Sequence, residues 1–121
     1  MPSSRDIIAA VVSADLLDQG AELPAARSPS LGWTISDAMR VVDELEAAGV
    51  LISGGDVWVL ERPGRVQPAY ANWHYDLDGG RIGAKDVHDA AAHARRYIAD
   101  LKPPSESATL IEIVCHARAN T

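Results

Sequence analysis

The spacing of apolar residues constrains this chain more than any other feature. In three segments they recur every three or four residues, which predicts amphipathic helices, and elsewhere they alternate or cluster as β-branched residues, which predicts strands. The predicted order over the 121 residues is α-α-β-β-α-β. Hairpin-like strands with segregated helices favour an α+β fold, with helices packed on a small, mainly antiparallel sheet. The length suits a single domain with short terminal tails.

Local end signals delimit the predicted helices. Ser3 with Asp6 resembles a capping box, and it predicts a first helix that Gly20 ends. A second helix begins after Thr34 and ends at Gly49. The apolar face of the third comprises Val87, Ala91, Ala94, Ile98 and Leu101. Between the first two helices, residues 21–32 carry two prolines and little periodicity, and we expect a flexible loop there.

Three segments have strand character. Residues 50–60 contain Gly54-Gly55, which predicts either a strand with a bulge or two short strands meeting at a bend. Residues 66–77 alternate, and a turn at residues 62–64 precedes them. One side of this segment carries Ala71, Trp73, Tyr75 and Leu77, and the other carries Tyr70, Asn72, His74 and Asp76. A last strand is predicted at 109–116, with Ile111, Ile113 and Cys115 facing one way.

The charge balance limits the classes of partner. The net charge is −6, and residues 1–61 hold ten acidic and three basic residues. This balance opposes binding to nucleic acid or to anionic lipid. The acidic excess serves either solubility or the steering of a basic partner.

Cysteine content and apolar runs indicate the compartment. Cys115 is the only cysteine, so the chain cannot form an internal disulfide. Its first residues lack the pattern of a signal peptide, and no apolar run approaches the ~20 residues of a membrane span. We therefore expect a cytoplasmic protein that is not bound to a membrane.

Few residues have the spacing that catalysis or metal binding requires. Cys115 and His116 are strand neighbours that point to opposite faces, so they cannot form a catalytic dyad. His74, Asp76 and Asp78 could line one side of an extended segment, but a solvated strand end and turn explains them better than a metal site. We predict no cofactor, no metal and no enzymatic activity. The alternatives are a small hydrolase-like enzyme using His74, Asp76 and Asp56, or a module that binds a small molecule or self-associates.

Aromatic residues are concentrated in one region. Four of the six lie between positions 58 and 75, namely Trp58, Tyr70, Trp73 and Tyr75. Trp and Tyr are the residues that most often anchor protein interfaces. Trp73 and Tyr75 share the apolar side of their strand, which favours a place in the core, whereas Trp58 and Tyr70 fit either role.

Three segments of the chain carry distinctive residue patterns: residues 32–36 (GWTIS), 54–58 (GGDVW) and 70–76 (YANWHYD). Together, and with residues 94–98, they resemble the immunity protein 40 family of bacterial polymorphic toxin systems. The resemblance implies an α+β protein that binds and blocks a cognate toxin domain. The residues of the motif to which we assign a structural role are Trp33, Gly54, Gly55, Asp56 and Trp73.

We predict that the partner-binding surface is the polar side of the strand at residues 66–77. Its residues are Tyr70, Asn72, His74 and Asp76, with Trp58 and the helix residues Glu44 and Glu46 close by. Aromatic and hydrogen-bonding groups on a regular element suit an interface. Asp56 is expected to fix the bend beside it by accepting local backbone hydrogen bonds, and a contact with the toxin is the alternative role for this residue. Both a monomer and a dimer are compatible with the sequence.

Overall fold

The computed structural model describes residues 3–23, 30–62, 65–77, 82–103, 105 and 108–116. The helices are α1 (Ser4–Val11), α2 (Ala14–Gln19), α3 (Ile35–Ala47) and α4 (Ala84–Asp100). The strands are β1 (Ala21–Glu22), β2 (Leu31–Trp33), β3 (Leu51–Arg62), β4 (Arg65–His74) and β5 (Thr109–His116). They form one sheet in the order β1-β2-β5-β3-β4, and every neighbouring pair is antiparallel. The predicted α+β class is confirmed.

Short-range hydrogen bonds and one glycine conformation form the helix ends at Ser3, Thr34 and Gly49 that the sequence predicts. The Ser3 hydroxyl accepts a bond from the Asp6 N–H, and the Asp6 carboxylate accepts one from the Ser3 N–H, which completes the capping box. At the start of α3 the Thr34 hydroxyl accepts from the Asp37 N–H. Gly49 follows this helix with a φ of 78°, a left-handed conformation that glycine adopts without strain.

The first predicted helix is in fact two helices, α1 and α2. The chain breaks its helical course at Val12 and Ser13. The Ser13 N–H donates to Oε1 of Glu44 at 2.7 Å, so a side chain from α3 caps the start of α2. Apolar spacing continues through the break to Leu16, and this is why periodicity alone predicted a single helix.

The segment predicted as a loop over residues 21–32 has strands at both ends. Ala21 pairs with Gly32 and Glu22 with Leu31, and β2 in turn pairs with β5. Residues 24–29 lie outside the described part of the chain. The two strands of this hairpin are too short to show an alternating pattern in the sequence.

Residues 51–62 form one bulged strand, which was one of the two predicted alternatives. Ile52 pairs with Cys115, whereas Gly54 pairs with Val114, so two steps along β3 match one step along β5. A bulge of this kind reverses the side to which later residues point. Ile52 and Val57 therefore both reach the same core although they are five residues apart. Of the turn predicted at residues 62–64, residues 63–64 lie outside the described part of the chain.

The sheet has two different faces. The helix-covered face carries Ile111, Ile113 and Cys115 of β5, and side chains from all four helices pack against it, as predicted for these three residues. The opposite side, here called the open face, carries Leu110, Glu112 and Val114. Its small apolar cluster contains no residue from any described helix. None of the described helices is long and apolar enough to cross a membrane.

Candidate functional site

The glycine pair of β3 lets β4 approach closely. A Cβ on Gly54 would fall well inside van der Waals contact of the Trp73 carbonyl oxygen. A Cβ on Gly55 would overlap both the Trp73 ring and the Glu112 carbonyl oxygen. The Trp73 ring also packs against Tyr97 of α4, with the ring centroids 5.1 Å apart. Both glycines are therefore required by packing.

Trp33 and Trp73, the two tryptophans to which we assigned a structural role, are buried on the helix-covered face. Trp33 is fully buried, and its Nε1 donates to the Leu16 carbonyl at 2.7 Å, which ties β2 to α2. Trp73 is 5% exposed, and its Nε1 has no hydrogen-bond partner among the described residues. Trp73 therefore contributes to the core through its ring.

A row of polar side chains crosses the open face. Asn72 of β4 pairs with Asp56 of β3, and Asp56 pairs with Glu112 of β5, so the three share one face of the sheet. Asn72 is exposed, and the two acidic residues are half-buried. The side chain of Trp58 lies next to this row, and its Nε1 donates to Oε1 of Glu112 at 2.9 Å.

Asp56 does not have the role predicted for it. Within the part of the chain that the structure describes, its carboxylate accepts no hydrogen bond from the local backbone. The register of β3 shifts against β5 between Ile52 and Gly54, and against β4 between Asp56 and Trp58 and between Leu60 and Arg62. Asp56 lies directly opposite Glu112, and like charges in that position destabilise a sheet.

A shallow concavity of about 260 Å³ adjoins the row. Asp56, Asn72, His74 and Val114 are among its lining residues. His74 is 74% exposed and Asp76 is 87% exposed, and the His74 Nε2 lies 3.6 Å from an oxygen of Asp76. The open face therefore presents both hydrogen-bond donors and hydrogen-bond acceptors to solvent.

The structure brings only some of the predicted partner-binding residues together. Asn72 and His74 lie on the open face, and Asp76 follows the end of their strand. Tyr70 belongs to β4, but its side chain is not among those that the structure describes. Trp58 is 6% exposed and packs with Leu23 and Leu110, so it supports the surface from beneath.

Glu44 and Glu46 lie away from this surface, because α3 packs on the helix-covered face. The Glu44 carboxylate accepts hydrogen bonds from the backbone N–H and the hydroxyl of Ser13. Glu46 is bonded to Arg95 and His88 of α4, and the Arg95 guanidinium holds the pKa of the Glu46 carboxyl below its usual value. The predicted proximity of these residues to the polar side of β4 is therefore wrong.

The nucleophile and metal candidates have little support in the geometry. Burial raises the pKa of the Cys115 thiol to about 11, which keeps it protonated at neutral pH, and His116 is exposed on the other face. No group of three His, Cys, Asp or Glu side chains among the described residues is placed to hold a metal ion. Asp78, the third residue considered as a metal ligand, lies outside that part of the chain.

Glu112 is a surface residue that the sequence reasoning did not select. It is the one charged residue within the apolar run Leu110–Val114 of the central strand. A charge inside such a run marks a strand face that is not covered by the core. This signal could have identified the open face before the structure was known.

Comparison with known proteins identifies one family. The family model described as immunity protein 40 matches residues 23–115. This match spans Asp56, Asn72, His74 and Glu112 of the open face. No curated protein and no solved structure gives a significant match to the chain.

Proposed function

The chain belongs to the immunity protein 40 family, and we propose that it is a bacterial, cytoplasmic immunity protein that neutralises a cognate toxin domain. In this proposal the protein belongs to a polymorphic toxin system and blocks the toxin by binding it, without catalysing a reaction. The family match over residues 23–115 is the observation that carries the proposal. An inhibitor of this kind requires a rigid, preformed surface and no catalytic groups.

We place the toxin-binding surface on the open face of the sheet, around Asn72, His74 and Asp76. Asn72 and His74 stand on β4, whose backbone pairs antiparallel with β3, and Asp76 follows the end of this strand. Groups on regular elements keep their positions before binding, which reduces the entropy lost in the complex. A stable complex buries about 800 Å² on each partner, an area that a sheet face with its adjoining loops can supply.

Trp58 supports the surface in this proposal and does not itself anchor the toxin. Its ring is covered by neighbours from two other parts of the sheet, and its Nε1 orients Glu112. Truncating Trp58 is therefore expected to affect stability and binding together. Truncating an exposed residue such as His74 is expected to affect binding alone.

The test uses the toxin domain encoded next to the immunity gene, with its active site inactivated for purification. We expect the purified proteins to form a complex, and the immunity protein to protect cells that express the active toxin. Asn72→Ala and His74→Ala should weaken the complex while leaving the thermal midpoint of the free protein nearly unchanged, because both side chains are exposed.

Lys102→Ala is the matched control, since Lys102 is exposed and follows α4 on the helix side. It should bind and protect as the wild type does. Absence of both complex formation and protection by the wild-type protein would contradict the proposed function. Full binding by Asn72→Ala and His74→Ala would exclude this part of the sheet as the interface.

A further inference from the structure

We infer that the open face binds a basic surface of its protein partner, with a lysine or arginine side chain of that partner seated against Asp56 and Glu112. This inference rests on the proposed function and specifies the chemistry of the toxin surface that is recognised. It assigns the central contacts to two carboxylates that the family resemblance does not mark as partner-binding.

The first argument is that these two carboxylates oppose each other without a counter-charge. Asp56 and Glu112 are direct cross-strand partners, an arrangement that destabilises the free sheet. No described Lys, Arg or His lies within ion-pair distance of either residue. A cation from a partner would remove this repulsion on binding.

Several acidic residues elsewhere in the described chain have cationic partners. Five of them on the helix side form ion pairs: Asp15 and Asp37 with Arg40, Asp43 and Glu46 with Arg95, and Asp89 with Lys85. Glu22 of β1 is likewise paired with Arg5. Other described acidic residues, among them Asp18 and Asp86, also have no ion pair, so the distinguishing feature of Asp56 and Glu112 is that two uncompensated carboxylates are direct cross-strand partners.

The second argument is that the carboxylates are positioned before a partner arrives. The buried Trp58 ring fixes its Nε1, which holds one oxygen of Glu112 at 2.9 Å and leaves the other oxygen free to accept. Asp56 borders the concavity of about 260 Å³, together with Asn72 and His74. This space is several times the ~30 Å³ that one water molecule occupies, so it can take part of a long side chain.

The same features exclude other occupants. Phosphate groups of nucleic acid or lipid would be repelled by the two carboxylates. A second copy of this chain also carries a net charge of −6 and would bring further acidic groups to the face. A basic protein surface is the partner whose charge complements the row, and such complementarity speeds association and selects among partners.

The experiment compares Asp56→Asn and Glu112→Gln with the wild-type protein. Each substitution removes one negative charge and keeps the side-chain shape, and the glutamine retains an acceptor for the Trp58 Nε1. The probe is the inactivated toxin domain encoded beside the immunity gene, and its dissociation constant is measured at low and high salt. We expect each variant to bind at least ~10-fold more weakly at low salt, and to show less salt dependence than the wild type.

Asp18→Asn provides the matched control, because it makes the same change of charge on α2, away from the open face. Its affinity should stay within about twofold of the wild type, as expected for a distant, screened charge. The thermal midpoints of free Asp56→Asn and Glu112→Gln should equal or exceed the wild-type value, since neutralisation relieves the cross-strand repulsion.

The outcomes separate this inference from the proposed function. If the wild type binds the toxin domain and both open-face variants bind equally well, the inference is wrong and the proposed function stands. If either variant has a lower thermal midpoint, the carboxylates stabilise the free fold, and the inference is also wrong. If the wild type neither binds nor protects, the proposed function itself fails.

Discussion

Gly55→Ala tests the packing of the glycine pair more sharply than any other substitution. The added Cβ would overlap the Trp73 ring on one side and the backbone carbonyl of Glu112 on the other. The ring cannot move aside freely, because it is buried and packs against Tyr97. The carbonyl belongs to the central strand and cannot move without disturbing the sheet.

The expected cost follows from two opposing effects. Overpacking a well-filled core costs about 1–3 kcal/mol, and the upper part of this range applies because one of the obstacles is backbone. Replacing glycine by alanine also lowers the entropy of the unfolded chain, which returns about 0.4–1 kcal/mol. The net loss should be about 2 kcal/mol, which corresponds to a fall of roughly 8 °C in the thermal midpoint of a domain of this size.

Denaturant unfolding and thermal melting of the two proteins measure this loss directly. Gly83→Ala is the control, because its new Cβ would meet only Asp86 Oδ2 at 3.6 Å, and it should cost less than about 1 kcal/mol. In a Trp73→Leu background, Gly55→Ala should cost less than in the wild type if the ring is a principal obstacle. A Gly55→Ala protein as stable as the wild type would refute the packing argument.

Four further substitutions test other parts of the structure. Ile111→Ala and Ile113→Ala should each lower the free energy of unfolding by ~2–5 kcal/mol, since both side chains are fully buried; unchanged denaturation midpoints would contradict the core assignment. Burial raises the pKa of the Cys115 thiol from 9.0 to about 11. Between these pH values only the unfolded chain releases the thiol proton, so the free energy of unfolding contributed by this group is fully present below pH 9 and falls as the pH rises to 11. Relative to Cys115→Ala, the wild type should lose up to about 3 kcal/mol across this window, and parallel pH profiles would exclude the effect. Glu44→Ala removes the cap at Ser13 and should destabilise the protein by about 1 kcal/mol without changing its affinity for the toxin domain, and a change in affinity alone would return Glu44 to the interface.

The sequence predicted those parts of the fold that depend on neighbouring residues. Thr34 and Gly49 delimit α3 through hydrogen bonding and backbone conformation within a few positions, and the alternation of β5 follows from burial on one face. The break before α2 was not predictable in the same way, because the group that stabilises it is Glu44, which lies 31 positions from Ser13. The β1–β2 hairpin also depends on distant pairing with β5.

The same distinction applies to the candidate site: features set by neighbouring residues were predictable, and features set by distant residues were not. Alternation along residues 66–77 correctly separated the buried Trp73 from the exposed Asn72 and His74. The burial of Trp58 depends on Leu23 and Leu110, which come from distant parts of the chain, and no local pattern indicates it. The opposition of Asp56 and Glu112 required the strand register, since 56 positions separate them in the sequence.

The position of β5 also affects how the protein is made. This strand is the last of the five to leave the ribosome, yet it lies in the middle of the sheet and joins β2 to β3. Until it emerges, the β3–β4 hairpin has an inner edge with no partner, and the β1–β2 hairpin cannot join it. Unpaired edges of this kind are the parts of a nascent chain most prone to wrong associations. Assembly of the sheet therefore waits for β5, which joins the two hairpins.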